Sequence, residues 1–314
     1  MRFIELKQKT HKLSVAQFLA LGYLITILIG TLLLLLPFAT KSGQTTSLID
    51  AIFTATSATC VTGLIPFDTF THWTMFGQIV ILCLIQIGGI GFMTIITLIF
   101  MMFRKNIGLY NRTILMQSAG SYGISGVIKL IKRIILGTFI FEFVGAGILT
   151  ACLWNQMGNS AIYYGIFHSV SAFCNAGFDI FGGAAGSSLI GFSGNWPFCL
   201  TIMALIIIGG TGFIVWSDLI DNKFKIKKCH LHTKIVLTFN LILILVPAIL
   251  FFVFESYGAN AVVFNEMNLG DRILNSLFMS VSPRTAGFDT IGTGAITSSS
   301  KILTMMLMFV GGNS

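Results

Sequence analysis

Three stretches of this sequence follow one pattern and close on glycine: residues 51–63 (AIFTATSATCVTG), 165–177 (GIFHSVSAFCNAG) and 276–287 (SLFMSVSPRTAG). The second and third share Phe-x-Ser-Val-Ser, at 167–171 and 278–282. Each is a semi-polar apolar run of about a dozen residues, too short to cross a bilayer, and each is followed by a small-residue turn. Pro283 marks where the third short helix must stop. Glycine suits such turns because it enters positive φ without steric penalty. The chemistry on offer is cation coordination by main-chain oxygens. Non-helical backbone is tolerated at membrane depth only where it is buried in protein or lines a water-filled cavity, and carbonyls grouped there replace a cation's water shell. A half-helix entering from outside aims its C-terminal end, with about half a negative charge, at the same place. Beyond the turns lie Phe178-Asp179 and Phe288-Asp289, with Phe67-Asp68 slightly later in the first stretch. Asp68, Asp179 and Asp289 are therefore expected at an outer mouth, where they concentrate cations.

Such turns need spans to hold them. Of 314 residues, 55% are hydrophobic and only 10% charged; a soluble domain carries roughly 25% charged residues, which argues against a soluble enzyme. Apolar runs at 15–38, 73–103, 134–154, 196–216 and 235–254 have membrane length, and a sixth begins near Ile302. The first is too long for a signal-peptide core and lacks a cleavage site, so it is kept as a helix. Of 19 basic residues, 15 lie in 1–12, 104–133 and 223–234, each patch beside a span. That is the positive-inside signature of cytoplasmic loops rather than a nucleic-acid surface. Spans one, three and five then run outward and two and four return, with the N-terminus on the cytoplasmic side of the cell membrane.

The returning spans carry double glycines: Gly88-Gly89-Ile90-Gly91-Phe92, Gly209-Gly210-Thr211-Gly212-Phe213, and Gly311-Gly312. They lie inside apolar runs with no preceding strand, so they are expected to serve helix packing and not to bind a dinucleotide. The unit is helix, half-helix, glycine turn, helix. It recurs at about 110 residues, twice complete and once truncated. This divides the chain into a cytoplasmic N-terminus (1–14), a first repeat (15–103, short helix and turn at about 48–68), a cytoplasmic linker (104–126), a second repeat (127–216, about 161–179), a second linker (217–234) and a truncated third repeat (235–314, about 271–289).

The repeat, its Thr-Gly and Ala-Gly turns and the Gly-Gly-x-Gly-Phe helices resemble the Trk/Ktr/HKT superfamily of potassium transporters, most of all the bacterial Ktr/Trk membrane subunit. The resemblance covers nearly the whole chain. It implies an all-α integral membrane protein of pseudo-fourfold cation channel fold, in which four repeats surround one pore and each gives a filter strand. Carried onto this sequence, the strands are Cys60-Val61-Thr62-Gly63, Cys174-Asn175-Ala176-Gly177 and Arg284-Thr285-Ala286-Gly287. Potassium would be held at their carbonyls, since Gly63, Gly177 and Gly287 stand where a first-repeat serine favours sodium. The resemblance also implies a homodimer, a cytosolic nucleotide-binding regulatory subunit of the RCK type, potassium as the transported ion and sodium as a candidate activator, with no cofactor in this chain. The rest of the third return helix, whose middle forms a gating loop in that family, and the fourth repeat are missing, so the chain is expected to be a fragment. The downstream reading frame tests this.

Single residues have more than one expectation. Glu142 is a charge inside a span, costly there and often functional; it either acts in the pore machinery or sits paired in a wet crevice. Arg284 adjoins the filter and is expected to brace it from behind by hydrogen bonds. Cys229, His230 and His232 are expected to be solvated rather than metal ligands. Cys60 and Cys174 are expected to be small filter-flanking residues. There is no nucleophile–base pair, Walker A loop or HExxH, so no enzyme is expected. Two rivals remain: a sodium-coupled or alternating-access transporter built on broken helices, and a non-conducting membrane interaction subunit. The turns are expected between spans rather than inside them, which favours the channel-like class. The basic loop 104–133, with its polar stretch 106–126, is expected to meet either a regulatory ring or inner-leaflet lipid.

Overall fold

The structure, a computed structural model, describes residues 15–91, 94, 127–182, 188–258, 261–265 and 267–311. The expected N-terminal segment 1–14, the linker 104–126 and Gly312 lie outside the described residues. Among these residues the regular structure is helical, apart from one isolated bridge between Thr40 and Trp73.

The first part of the chain forms α1 (Val15–Leu34), the short α2 (Leu48–Thr59), the single turn α3 (Thr69–His72) and α4 (Met75–Ile90). α1 ends before the expected 38 because Pro37 holds Leu36 extended, at φ −66° and ψ 136°. α2 starts on Ser47, whose Oγ accepts the Asp50 amide at 3.2 Å. The Thr74 amide donates to Ala39 O at 2.9 Å, which ties the top of α4 to the end of α1. The second part forms α5 (Val127–Met157), the short α6 (Ser160–Phe173), α7 (Trp196–Gly209) and α8 (Phe213–Asp221). The third forms α9 (Leu231–Tyr257), the short α10 (Leu269–Val281) and α11 (Ser298–Val310). A tight 3₁₀ turn at Ser282–Arg284 follows α10, where Pro283 removes an amide donor.

Among the described residues, two helices are long and apolar enough to cross a membrane alone, Leu130–Met157 and Leu231–Tyr257. Both run past the expected 134–154 and 235–254, because α-helical hydrogen bonding continues into polar flanks once started. The expected fourth span is not one helix. α7 and α8 meet at a 90° bend, with Gly212 at φ 91°. The expectation that interruptions fall only between spans is corrected here. α4 likewise stops at Gly91, φ 88°, and α11 at Gly311, φ 67°. The double-glycine motifs therefore do two jobs. In these motifs α4 and α11 end at positive-φ glycines, Gly91 and Gly311, whereas positive-φ Gly212 begins α8 after the bend. Their first glycines let backbone touch backbone: a Cβ on Gly88 would strike Thr59 O, one on Gly89 would strike Cys174 Sγ, and one on Gly209 would strike Phe173 O. The returning helices thus lie flush against the C-terminal ends of α2 and α6.

Each short helix packs between the long helix before it and the returning helix after it: α2 with α1 and α4, α6 with α5 and α7, α10 with α9 and α11. Ala51, Ala55 and Ala58 are buried on α2, and Phe167 and Phe278 are buried on α6 and α10, whereas Phe53, their counterpart on α2, is exposed. The outer faces are apolar and open, with Phe143 81% and Phe309 94% exposed. Such faces suit lipid rather than water.

Candidate ion-coordinating turns

The three short helices end alike. The residue before each turn glycine donates its amide to the carbonyl of a serine: Thr62 to Ser57 at 2.9 Å, Ala176 to Ser171 at 2.8 Å, Ala286 to Ser282 at 3.0 Å. Ser171 Oγ then donates to Phe178 O at 2.6 Å, and Ser282 Oγ to Phe288 O at 2.5 Å. In the first turn Thr62 Oγ1 donates to Ser57 Oγ at 2.9 Å instead. These serines peg the outward chain to the helix end, and none was among the expected site residues. Their signal was the Phe four residues earlier: Phe53, Phe167 and Phe278. It is plain in the second and third stretches and thinned to Phe-Thr-Ala-Thr-Ser in the first.

The turns use left-handed backbone where the sequence placed glycine. φ is 74° at Gly63, 69° at Gly177 and 78° at Gly287. Val61 at 56° and Asn175 at 58° share that region. Asn tolerates it; a β-branched Val does not, and the strain is held by the packing around it. The turns are neighbours in space. A Cβ on Gly63 would lie 2.7 Å from Ala176 O, and one on Gly177 would run into Ala286 O. Ala176 and Ala286 are buried, whereas Thr62 and Gly287 are exposed and Gly63 and Gly177 half-buried.

Each turn is braced differently. Cys174, buried, lies against Gln86 and Glu142. Asn175 is oriented so that its amide nitrogen meets Ile206 O at 3.2 Å and Thr285 Oγ1 at 3.1 Å, while its oxygen accepts the Gly210 amide at 3.1 Å. It thereby fastens the second turn to both the break of the returning helix and the third turn. Arg284 is buried, and its Nη1 donates to Asn240 Oδ1 on α9 at 2.7 Å. Its guanidinium is thus engaged away from the chain's turn glycines. Cys60 is exposed, and both Cys60 and Cys174 are free thiols.

The three carboxylates beyond the turns are used as backbone caps. Asp68 accepts the Thr71 amide at 2.7 Å and starts α3. Asp289 accepts the amides of Ile291 and Gly292 at 3.0 Å and of Thr293 at 2.6 Å. Asp179 is buried and, among the described residues, accepts Phe181 N at 3.3 Å. Burial pushes the Asp179 carboxyl up to about 6; the Phe181 amide opposes this and the charge of Asp68 adds to it. His168, missed in the sequence, holds the same limb. It is buried, bonds Tyr164 O through Nδ1 at 2.8 Å, accepts Ile180 N through Nε2 at 3.4 Å and stacks on Phe181. Of the suspected metal trio, Cys229 is buried rather than solvated, while His230 and His232 are exposed. Among the described residues no cluster of His, Cys, Asp or Glu could hold a metal.

A family model described as "TrkH: Cation transport protein" matches residues 7–314. The chain belongs to this cation transport family. TrkH-family relatives include the potassium/sodium uptake protein NtpJ of Enterococcus hirae, 41% identical over 98% of this chain and 67% of that protein. Another is the Ktr system potassium uptake protein B of Bacillus subtilis, 40% identical over 95% of this chain and 65% of that one. The chain therefore spans about two thirds of the length of these relatives. Among solved structures, the potassium transporter TrkH from Vibrio parahaemolyticus aligns with a TM-score of 0.67 over 99% of this chain and 58% of its own, at 19% identity. That likeness establishes the fold. The chain is a helical membrane protein of a transport family, not an enzyme.

Proposed function

We propose that this chain conducts potassium into the cell through a filter of main-chain carbonyls at 60–63, 174–177 and 284–287. It would do so as the channel-like subunit of a Trk/Ktr-type system. The three helix–short-helix–helix units are taken as three quarters of a pseudo-fourfold ring. The observation that supports this most is the contact of Gly63 with Ala176 O and of Gly177 with Ala286 O: three non-helical turns abut at the ends of three short helices. The C-terminal ends of α2, α6 and α10 favour a cation. At Gly63 and Gly177 a Cβ would run into the carbonyl of the adjacent turn. The relatives named for potassium uptake point the same way. The homodimer, the RCK-type regulatory subunit and the cytoplasmic N-terminus in the cell membrane are parts of the same proposal. Potassium and sodium uptake by the intact gene product, expressed in cells unable to take up potassium, tests it: potassium-dependent growth with saturable rubidium influx is expected. Absence of flux for either ion would instead support a non-conducting interaction subunit.

A sodium-coupled or alternating-access mechanism has one observation in its favour, the 90° break between α7 and α8. Broken helices at mid-depth are characteristic of such transporters. Voltage-clamp of the reconstituted protein separates the two: channel-like flux follows the potassium gradient and voltage and continues without sodium, whereas coupled flux stops when sodium is removed.

A further inference from the structure

Glu142 lies inside α5 and is 6% exposed. Its two carboxylate oxygens are both used. Oε2 accepts Gln86 Nε2 of α4 at 3.0 Å, and Oε1 faces Cys174 Sγ at 3.9 Å. Its main-chain oxygen accepts Ser169 Oγ of α6 at 2.7 Å. Among the described residues it has no basic partner. The surroundings do not call for a charge. A cavity of about 660 Å³ opens beside it between α4, α5 and α6, lined, apart from Glu142, Gln86 and Cys83, by apolar groups such as Leu82, Phe143 and Val170. A leucine would pack there without desolvation, whereas a buried carboxyl without a counter-ion is costly. What the carboxyl does is join three elements at one point: the returning helix of the first unit, the outward helix of the second, and the first residue of the second turn. Gly89 completes the joint, since its missing side chain is the space that Cys174 Sγ fills. The third turn is held by a different pair, Asn240 and Arg284.

We propose that Glu142 is a positioning residue for the second turn: by holding Cys174 and Gln86 together it seats residues 174–177 against α4 and sets the spacing at which that turn receives the ion. This rests on the potassium reading above. The test is potassium and sodium uptake kinetics of the intact gene product carrying Glu142→Gln, Gln86→Leu or both, with folded yield measured by size exclusion in detergent. Glu142→Gln keeps volume and one acceptor. It is expected to give normal yield, an apparent KM for potassium raised about tenfold, a maximal rate within about threefold and weaker rejection of sodium. Gln86→Leu is expected to raise KM in the same direction, and the double variant to be no worse than the poorer single one, because both break one joint. If Glu142→Gln fails to insert, Gln86→Leu, which leaves every turn residue intact, decides alone. A KM within twofold of wild type in folded Gln86→Leu or Glu142→Gln protein, or a fall in yield with unchanged KM, overturns the inference and leaves potassium uptake standing. A wild-type protein that takes up neither ion overturns both.

Discussion

The second and third turns share a serine peg and a closing glycine and differ in the backbone and side chains between them: Asn175 is left-handed at φ 58°, whereas Thr285 in the matching place has φ −149°. Both hang from a serine carbonyl and are pegged by that serine's hydroxyl, Ser171 to Phe178 O and Ser282 to Phe288 O. Both reach a glycine near φ 70–80°. Behind those shared points, the second turn is fastened by neutral and acidic groups, Gln86, Glu142 and the Asn175 amide, and the third by Arg284 against Asn240. The outward limbs differ too. Asp289 satisfies three amides, Asp179 one. The lesson is that the serine peg and the closing glycine are the repeated part, while the backbone between them and the side-chain supports behind it diverge.

The sharpest way to break this comparison is at glycine. Gly177 and Gly43 have the same φ, 69°, but a Cβ on Gly177 would run into Ala286 O, whereas Gly43 has open space. Gly177→Ala is expected to abolish rubidium uptake, a loss of at least about 100-fold. Gly43→Ala should cost only the backbone strain of about 1 kcal/mol and retain transport. Equal effects would show that φ alone, not turn-to-turn contact, demands glycine.

Next is the support of the third turn. Asn240→Leu leaves the buried Arg284 guanidinium without its acceptor, a cost of about 1.5–3 kcal/mol. Folded yield and melting temperature should fall in Asn240→Leu and in Arg284→Gln, with potassium-over-sodium preference nearly unchanged. Altered preference at full yield would mean that Arg284 acts on the ion directly. Smaller still, Ser171→Ala and Ser282→Ala each remove one hydroxyl-to-carbonyl bond, worth about 1 kcal/mol. The two should destabilise the protein to the same degree in thermal melts. A difference of more than threefold in unfolding equilibrium would sink the equivalence of the two turns.

The smallest effect is at the outer limb. With its carboxyl raised to about 6, Asp179 is charged at pH 7.5 and mostly neutral at pH 5. Acidification therefore removes a negative charge from the limb just beyond the second turn, and on the proposed potassium reading the apparent KM should rise about two- to threefold as external pH falls through 6. Asp179→Asn should have the higher KM at every pH and a flat profile. Asp289→Asn should instead lower folded yield, since it weakens a three-amide cap.

Much of the site was legible before any coordinates. The glycine spacing located the three turns, and the apolar runs located the helices between them. The short stretches were recognisable as half-helices because a dozen residues cannot cross a bilayer. What escaped was of two kinds. The pegging serines escaped because a serine in a semi-polar helix looks like any other until its carbonyl partner is known. The break at Gly212 escaped because an apolar run of 21 residues, 196–216, gives the same composition signal whether straight or bent. Gly-Gly-x-Gly was assigned to close packing alone, and the left-handed φ of its last glycine is a conformational choice that composition does not reveal.

The sequence by itself determined that this chain is a set of apolar membrane helices with three short stretches closed by glycine, because hydrophobic run length and glycine placement are local properties that need no folding to count. Only the tertiary structure decided which groups meet: that Gly63 abuts Ala176 O, that Arg284 turns to Asn240, and that Glu142 joins Gln86 to Cys174 across residues 56 and 32 positions apart. Those pairings depend on how helices pack side by side, and a partner for a buried polar group is fixed by the direction of the neighbouring helix, which no single segment encodes.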